Sequence, residues 1–374
     1  MKMNGNKALL AAGAFAALIA VPLRAESEPI ALVLSGGGAK GAYEVGVWQE
    51  LQAAGIASRV AAISGTSVGA INAALFATRP EAAETLWLDN MEEVFTLNTN
   101  RVAESIQKTL DQTSDAIERY NEVKKSRMDA AARRLGTSVD ALPAEEVEAA
   151  EKSALRSGVG NLLFSLLLRG ASDYVEITQS DASREGYVDS AKLAAALDGA
   201  VPADWPAGAP AAYATAFEKG SDGRTATWKL NGEPQGRRIL ALRASAAIPV
   251  GFDTVEIDGK TYVDGGWESK GGDNVPLEPI LEHHSEIKTV VIVYLDDAKH
   301  LNKKRFEKNR AAATAAGVRL VEIVPSENIG GAFGGWQGVF DASPETAKHL
   351  IELGRQDTRK KLREAGLVET HLDN

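Results

Sequence analysis

Three short segments hold residue types that could do chemistry together. Gly65-Thr66-Ser67-Val68-Gly69 has the G-x-S-x-G spacing. A serine at the apex of a sharp strand-to-helix turn presents its hydroxyl, and small flanking residues let neighbouring chain pass close by. The same residues also suit an ordinary turn with serine as a helix N-cap. Gly36-Gly37-Gly38-Ala39-Lys40-Gly41 can be written Gly36-x-Gly38-x-x-Gly41, the dinucleotide fingerprint. That fingerprint further needs an acid at the end of the next strand, and here the strand ends in Ser64-Gly65. No Ser or Thr follows Lys40, so the P-loop pattern is absent as well. Consecutive glycine N–H groups at a helix N-terminus suit a developing oxyanion better. Asp264-Gly265-Gly266 is either a surface turn or an aspartate held at a strand end as general base, which a weakly nucleophilic serine hydroxyl requires.

Other chemistries find little support. The chain has no cysteine, which excludes disulfides, thiolate metal sites and cysteine nucleophiles. None of the histidines stands in an H-E-x-x-H arrangement, and no metal site or cofactor is expected. His283 and His284 follow Asp264, so a Ser-Asp-His order is formally available. They lie in Glu282-His283-His284-Ser285-Glu286, which reads as a solvated helix end. The 41 basic residues are outnumbered by 51 acidic ones, a formal charge of −10. A broad nucleic-acid-binding field is excluded on that balance, and lipid contact must be local and apolar.

Positioning these residues takes an α/β scaffold. Ile30 to Leu34 is a short apolar run that ends in the glycine cluster, and a helix-compatible stretch from Ala39 to Ala54 follows, with Gly55 as its C-cap. Val60 to Ile63 repeats the pattern, leading through Ser67 into a helix reaching Phe76. Strand, turn, helix, strand, turn, helix is the βαβ signature of buried parallel strands. Further strands are expected at Ala211 to Phe217, Thr225 to Leu230, Arg238 to Leu242, Thr289 to Leu295 and Arg319 to Val324. Val255 to Val263 alternates around Asp258-Gly259, a hairpin signal. Pro344 to Ala365 reads as an amphipathic helix with Ser343 as N-cap. Residues 81–170, rich in Ala, Glu, Lys and Arg, read as a helical insertion that divides one domain into 26–80 and 171–374.

The order of these motifs resembles the patatin-like phospholipase family of lipid acyl hydrolases. A glycine cluster follows the first strand, G-T-S-V-G comes about 30 residues later, and D-G-G some 200 residues further on. Arg243-Ala244-Ser245-Ala246-Ala247-Ile248-Pro249 and Ser343-Pro344-Glu345-Thr346-Ala347 add to the likeness. The resemblance is close over 30–78 and 238–270 and loose elsewhere. It implies a three-layer α/β/α fold and a Ser–Asp dyad without histidine. Ser67 carries over as nucleophile, Asp264 as base, and Gly36, Gly37 and Gly38 as the oxyanion loop. Gly41, Gly65, Gly69, Gly265 and Gly266 complete the motifs. Lys40 stands where the family usually has arginine, keeping the charge but losing the planar fork. The implied substrate is a phospholipid or another acyl-ester lipid met at a membrane or micelle. The rival expectation is a lipid-binding or regulatory protein that keeps the scaffold without the chemistry.

Two further expectations concern lipid and location. Lys2 and Lys7 flank an apolar run from Ala8 to Val21, too short for a transmembrane helix and suited to a secretory signal over residues 1–25. An uncleaved anchor or a buried helix is the alternative. The signal predicts export to the periplasm or beyond. Leu162 to Leu168 suits either a core helix or a lipid contact. The glycine-rich loop from Gly330 to Gly338, carrying Phe333 and Trp336, suits a flexible lip at the active-site mouth.

Overall fold

Apolar residues on both faces of the first strand set the architecture, because such a strand must be covered on both sides. The computed structural model describes residues 28–95, 118, 121–155, 188–249, 251–267, 271–299, 301–330, 339 and 341–368. Its strands are β1 (Ile30–Leu34), β2 (Val60–Thr66), β3 (Ala211–Glu218), β4 (Thr225–Lys229), β5 (Val255–Ile257), β6 (Lys260–Asp264), β7 (Thr289–Val293) and β8 (Arg319–Ile323). They form one mixed sheet in the order β5-β6-β3-β2-β1-β7-β8, with β4 also paired to β3. The run β3-β2-β1-β7-β8 is parallel.

Along β1 the side chains alternate between two cores. Ile30, Leu32 and Leu34 pack with residues of helices α1 (Ala42–Ala53), α2 (Val68–Thr78) and Pro344–Glu364. Ala31 and Val33 pack on the other face with Val290, Ile292, Ile280 and Ala313. Helices therefore cover both faces, giving the three-layer α/β/α arrangement expected. Glycines set how closely two of these helices approach. A Cβ on Gly46 or Gly354 would overlap the carbonyl of Ile351 or Tyr43 respectively, where α1 crosses the helix Pro344–Glu364.

The most consequential feature is the inner edge of β3. β2 pairs with its first part, ending at Thr66 opposite Thr215. β6 runs antiparallel along the next part, beginning with Asp264 opposite Ala216. β4 spans Tyr213 to Phe217 on the other edge. β2 and β6 therefore meet end to end along the same edge, and the residues at their C-terminal ends are brought together.

Most expected elements are present. Asp258 and Gly259 take φ values of 52° and 74° in the β5–β6 turn, as a two-residue hairpin with both central residues left-handed requires. Arg238 to Leu242, expected as a strand, is instead part of the helix Gln235–Ser245. Five apolar-rich residues are too short to distinguish the two periods. Pro234 opens the helix by accepting from the N–H groups of Arg237 and Arg238, and the run through Arg243-Ala244-Ser245 extends it to 11 residues. Within 81–170, the described residues include the helices Met91–Val94 and Ala144–Leu155 and no strand. Leu86, Trp87, Met91 and Val94 join the main core, so packing continues past residue 80.

Candidate active site

Ser67 sits where β2 turns into α2, with φ 56° and ψ −128°. A non-glycine residue held there costs about 1–3 kcal/mol and persists only where the surroundings impose it. Glycines permit the turn. A Cβ on Gly69 would fall 2.6 Å from the Leu34 carbonyl oxygen, and one on Gly65 would overlap the Gly69 backbone. The Ser67 side chain makes no capping hydrogen bond to α2, which removes the N-cap explanation for a serine here. Its backbone N–H donates to Ser245 Oγ at 2.8 Å, and the Ser245 hydroxyl donates to the Thr215 carbonyl at 2.6 Å.

Asp264 ends β6 and is buried. Its Oδ1 accepts from the Gly266 N–H at 2.7 Å, while Oδ2 is buried without a close hydrogen-bond partner. Burial pushes the carboxyl up to about 6, against the opposing pull of the Ser67 hydroxyl and the Gly266 N–H. The approach of Gly265 is tight: a Cβ there would fall 2.9 Å from Thr66 Cγ2.

The glycine turn lies beside Ser67. A Cβ on Gly36 would stand 2.9 Å from Ser67 Cβ. The Gly36 N–H donates to Asn274 Oδ1 at 3.1 Å, and Asn274 Nδ2 donates back to the Gly36 carbonyl at 3.2 Å. Gly36 is thus committed to Asn274, whereas the N–H groups of Gly37 and Gly38 find no acceptor among the described residues. Gly38 has φ +60°, the left-handed conformation that glycine adopts freely. Gly41 closes the turn against Trp87 and Val68. Its carbonyl accepts from Asn72 Nδ2 at 2.9 Å. Lys40 is buried and paired with Asp296 at 2.8 Å.

These observations put Ser67 and Gly36 side by side and bring the Asp264-Gly265-Gly266 segment against the end of β2. The patatin-like phospholipase family model matches residues 32–281, a span that holds all three motifs. The chain belongs to this family. No curated protein sequence matches it. Among solved structures, the patatin-like chain is similar to VipD from Legionella pneumophila at 16% identity and TM-score 0.42, covering 90% of this chain and 67% of that one. It is also similar to ExoU, in complex with SpcU, from the type III secretion system of Pseudomonas aeruginosa, at 18% identity and TM-score 0.36. That likeness covers 90% of this chain and 53% of the other, so this chain spans about half the length of ExoU.

His283 and His284 of this patatin-like chain are engaged elsewhere. His284 Nε2 meets Tyr213 Oη at 2.9 Å and its Nδ1 meets Glu286 at 3.1 Å. Tyr213 belongs to the core on the sheet face away from α1 and α2. His283 is exposed at the end of its helix and stacks on Tyr213. His284 is thus more embedded than a solvated helix end.

Sequence reading leaves several positions without a role. Ser245 lies inside a segment notable only for its family likeness. Asn274 follows Gly271-Gly272-Asp273, an unremarkable polar loop. Asn72 and Trp87 give no signal, because their link to Gly41 and the buried Glu44 is tertiary. Phe333, Trp336, Leu162 to Leu168 and the segment 1–25 lie outside the described residues.

Proposed function

We propose that this patatin-like chain is a serine acyl hydrolase of the phospholipase A or lysophospholipase type, with Ser67 and Asp264 as its dyad. One observation carries the reading: β2 and β6 occupy the same edge of β3 end to end, so the strained serine and the buried aspartate share one junction. An ordinary aspartate is a feeble base at neutral pH. Raised to about 6, Asp264 is a better one while still largely ionised at pH 7.

In this reading Ser67 Oγ attacks the ester carbonyl carbon as its proton passes to the Asp264 carboxylate. The N–H groups of Gly37 and Gly38, with the helix that follows them, stabilise the oxyanion. Gly36 shapes the turn through Asn274. Collapse expels the lipid alcohol, which takes the proton from Asp264 and leaves an acyl-Ser67. Water then attacks while Asp264 accepts its proton. Collapse returns that proton to Ser67 Oγ and releases the fatty acid. None of these steps calls on a metal or cofactor.

Substrate, location and domain roles extend the same proposal. The substrate is a phospholipid or related acyl-ester lipid met at a membrane or micelle. The catalytic unit comprises 26–80 and 171–374, with 81–170 as a helical insertion within it. A signal segment over 1–25 directs export. The test is turnover of a panel of phospholipids, lysophospholipids and short-chain esters. Fatty-acid release that is lost in Ser67→Ala supports the reading. Lipid binding without release would instead identify a scaffold that has lost its chemistry.

A further inference from the structure

The glycine turn can stabilise an oxyanion only if Gly37 and Gly38 keep a fixed place beside Ser67. We propose that Asn72 is the positioning residue for that turn, its side-chain amide tying the Gly41 end to the helix that Ser67 opens. This role rests on the reading of the Gly37 and Gly38 N–H groups as oxyanion donors.

Helix chemistry alone gives no reason for an asparagine at position 72. It is the one polar side chain between Val68 and Ala77, in the apolar run of α2. Asparagine is a poor helix former because its amide competes for backbone groups. Asn72 is also fully buried, so its whole amide must find partners. It finds three. Nδ2 donates to the Gly41 carbonyl at 2.9 Å and to Glu44 Oε2 at 2.8 Å, and Oδ1 accepts from Trp87 Nε1 at 2.9 Å. These partners force one orientation on the amide, because an indole N–H only donates and a peptide carbonyl only accepts.

All three partners sit at the end of the oxyanion turn. Gly41 closes the turn Gly38–Gly41 and is the N-cap of α1. Glu44 lies in the first turn of α1 and is fully buried. Burial holds its carboxyl well above the ordinary carboxylate range, against the opposing pull of Asn72. Trp87 comes from Leu86–Asn90, within the stretch 81–170, and a Cβ on Gly41 would fall 2.5 Å from its ring. An asparagine amide thus grips each end of the turn, Asn274 at Gly36 and Asn72 at Gly41. Gly37 and Gly38 lie between the two grips. Without the Asn72 amide, the Gly41 carbonyl loses its side-chain donor and the buried Trp87 N–H loses its acceptor. The turn would then relax and carry the Gly37 and Gly38 N–H groups away from Ser67. Asn72 meets no reacting atom and acts through the backbone of Gly41.

The experiment uses the full chain, a soluble short-chain ester, and a fluorophosphonate to titrate active sites to completion. Asn72→Ala is expected to lower kcat per titrated site by about 10–100-fold, the scale of a small misplacement of reacting groups. KM should stay unchanged. Combining Asn72→Ala with Gly37→Ala should cost far less than the product of the two separate losses, because both act on the same donors. Should Asn72→Ala not fold, Trp87→Phe replaces it. That change keeps a ring against Gly41 and removes only the N–H that orients the amide, and it should cost about fivefold in kcat, the worth of one hydrogen bond. A wild-type kcat per titrated site in the variant used overturns the proposal. So does a change confined to KM or to the titratable fraction, or a combined loss with Gly37→Ala that equals the product. Failure of the wild-type chain to label at all would overturn the reading of the site itself, a distinguishable result.

Discussion

At the residue scale, the proposed dyad makes both rate and stability depend on the state of one carboxyl. The base must be ionised, so kcat/KM should fall as pH drops through about 6, where Asp264 takes up a proton. A pH–rate profile with its acid limb near pH 4 would show an unperturbed carboxyl. The same shift has a stability sign. Because folding raises the pKa of Asp264, its contribution is most favourable at low pH and is lost as pH rises through about 6. Above that, the fold bears a buried anion. Asp264→Asn should therefore abolish hydrolysis yet stabilise the protein at pH 8. A shift of about two units corresponds to roughly 3 kcal/mol at most, and the gain should vanish near pH 3. Denaturant unfolding at both pH values measures it. Gly37→Ala tests the oxyanion turn. Loss of one donor should reduce kcat by about 100–1000-fold, with a smaller effect on KM. The added methyl would also lie 2.8 Å from Leu295 Cβ, so circular dichroism must show the fold retained.

At the element scale, close backbone approach is what places the site. Where α1 crosses the helix Pro344–Glu364, a methyl on Gly354 would overlap the Tyr43 carbonyl and sit 3.1 Å from Val47 N. Backbone cannot rotate away as a side chain can. Gly354→Ala should thus cost about 1–3 kcal/mol or more, as overpacking does, read as a lower denaturation midpoint. A wild-type midpoint would show that the two helices separate freely. The legibility of the sequence has the same physical origin. β1, β2 and β7 are readable because strands buried on both faces are continuous apolar runs. The β5–β6 hairpin is readable because Asp258-Gly259 suits a turn with two left-handed residues. Part of Gln235–Ser245 reads wrongly as a strand because its apolar run is too short to show a period. Ser67 and Asp264 are recognisable from local motifs. The bonds that hold the site, Ser67 N–H to Ser245 Oγ and Gly36 N–H to Asn274 Oδ1, span separations of 178 and 238 residues and leave no local pattern to find.

At the scale of the whole molecule, the question is how an acidic chain meets a lipid. With a formal charge of −10, attraction to an anionic surface cannot come from the chain as a whole. Among the described residues no helix is long and apolar enough to cross a membrane. The route proposed is local aromatic contact, with Phe333 and Trp336 as its candidates. Replacing both with serine should weaken hydrolysis of phospholipid vesicles far more than hydrolysis of a soluble short-chain ester. Equal losses would rule out a role at the lipid surface. The central claim is narrower than any of this: Ser67 is a nucleophile activated by Asp264. Mass spectrometry of the chain treated with a fluorophosphonate tests it most directly. The account predicts one covalent adduct on Ser67, absent in Ser67→Ala and formed far more slowly in Asp264→Asn. An adduct on another residue, or labelling of Asp264→Asn at the wild-type rate, would contradict it.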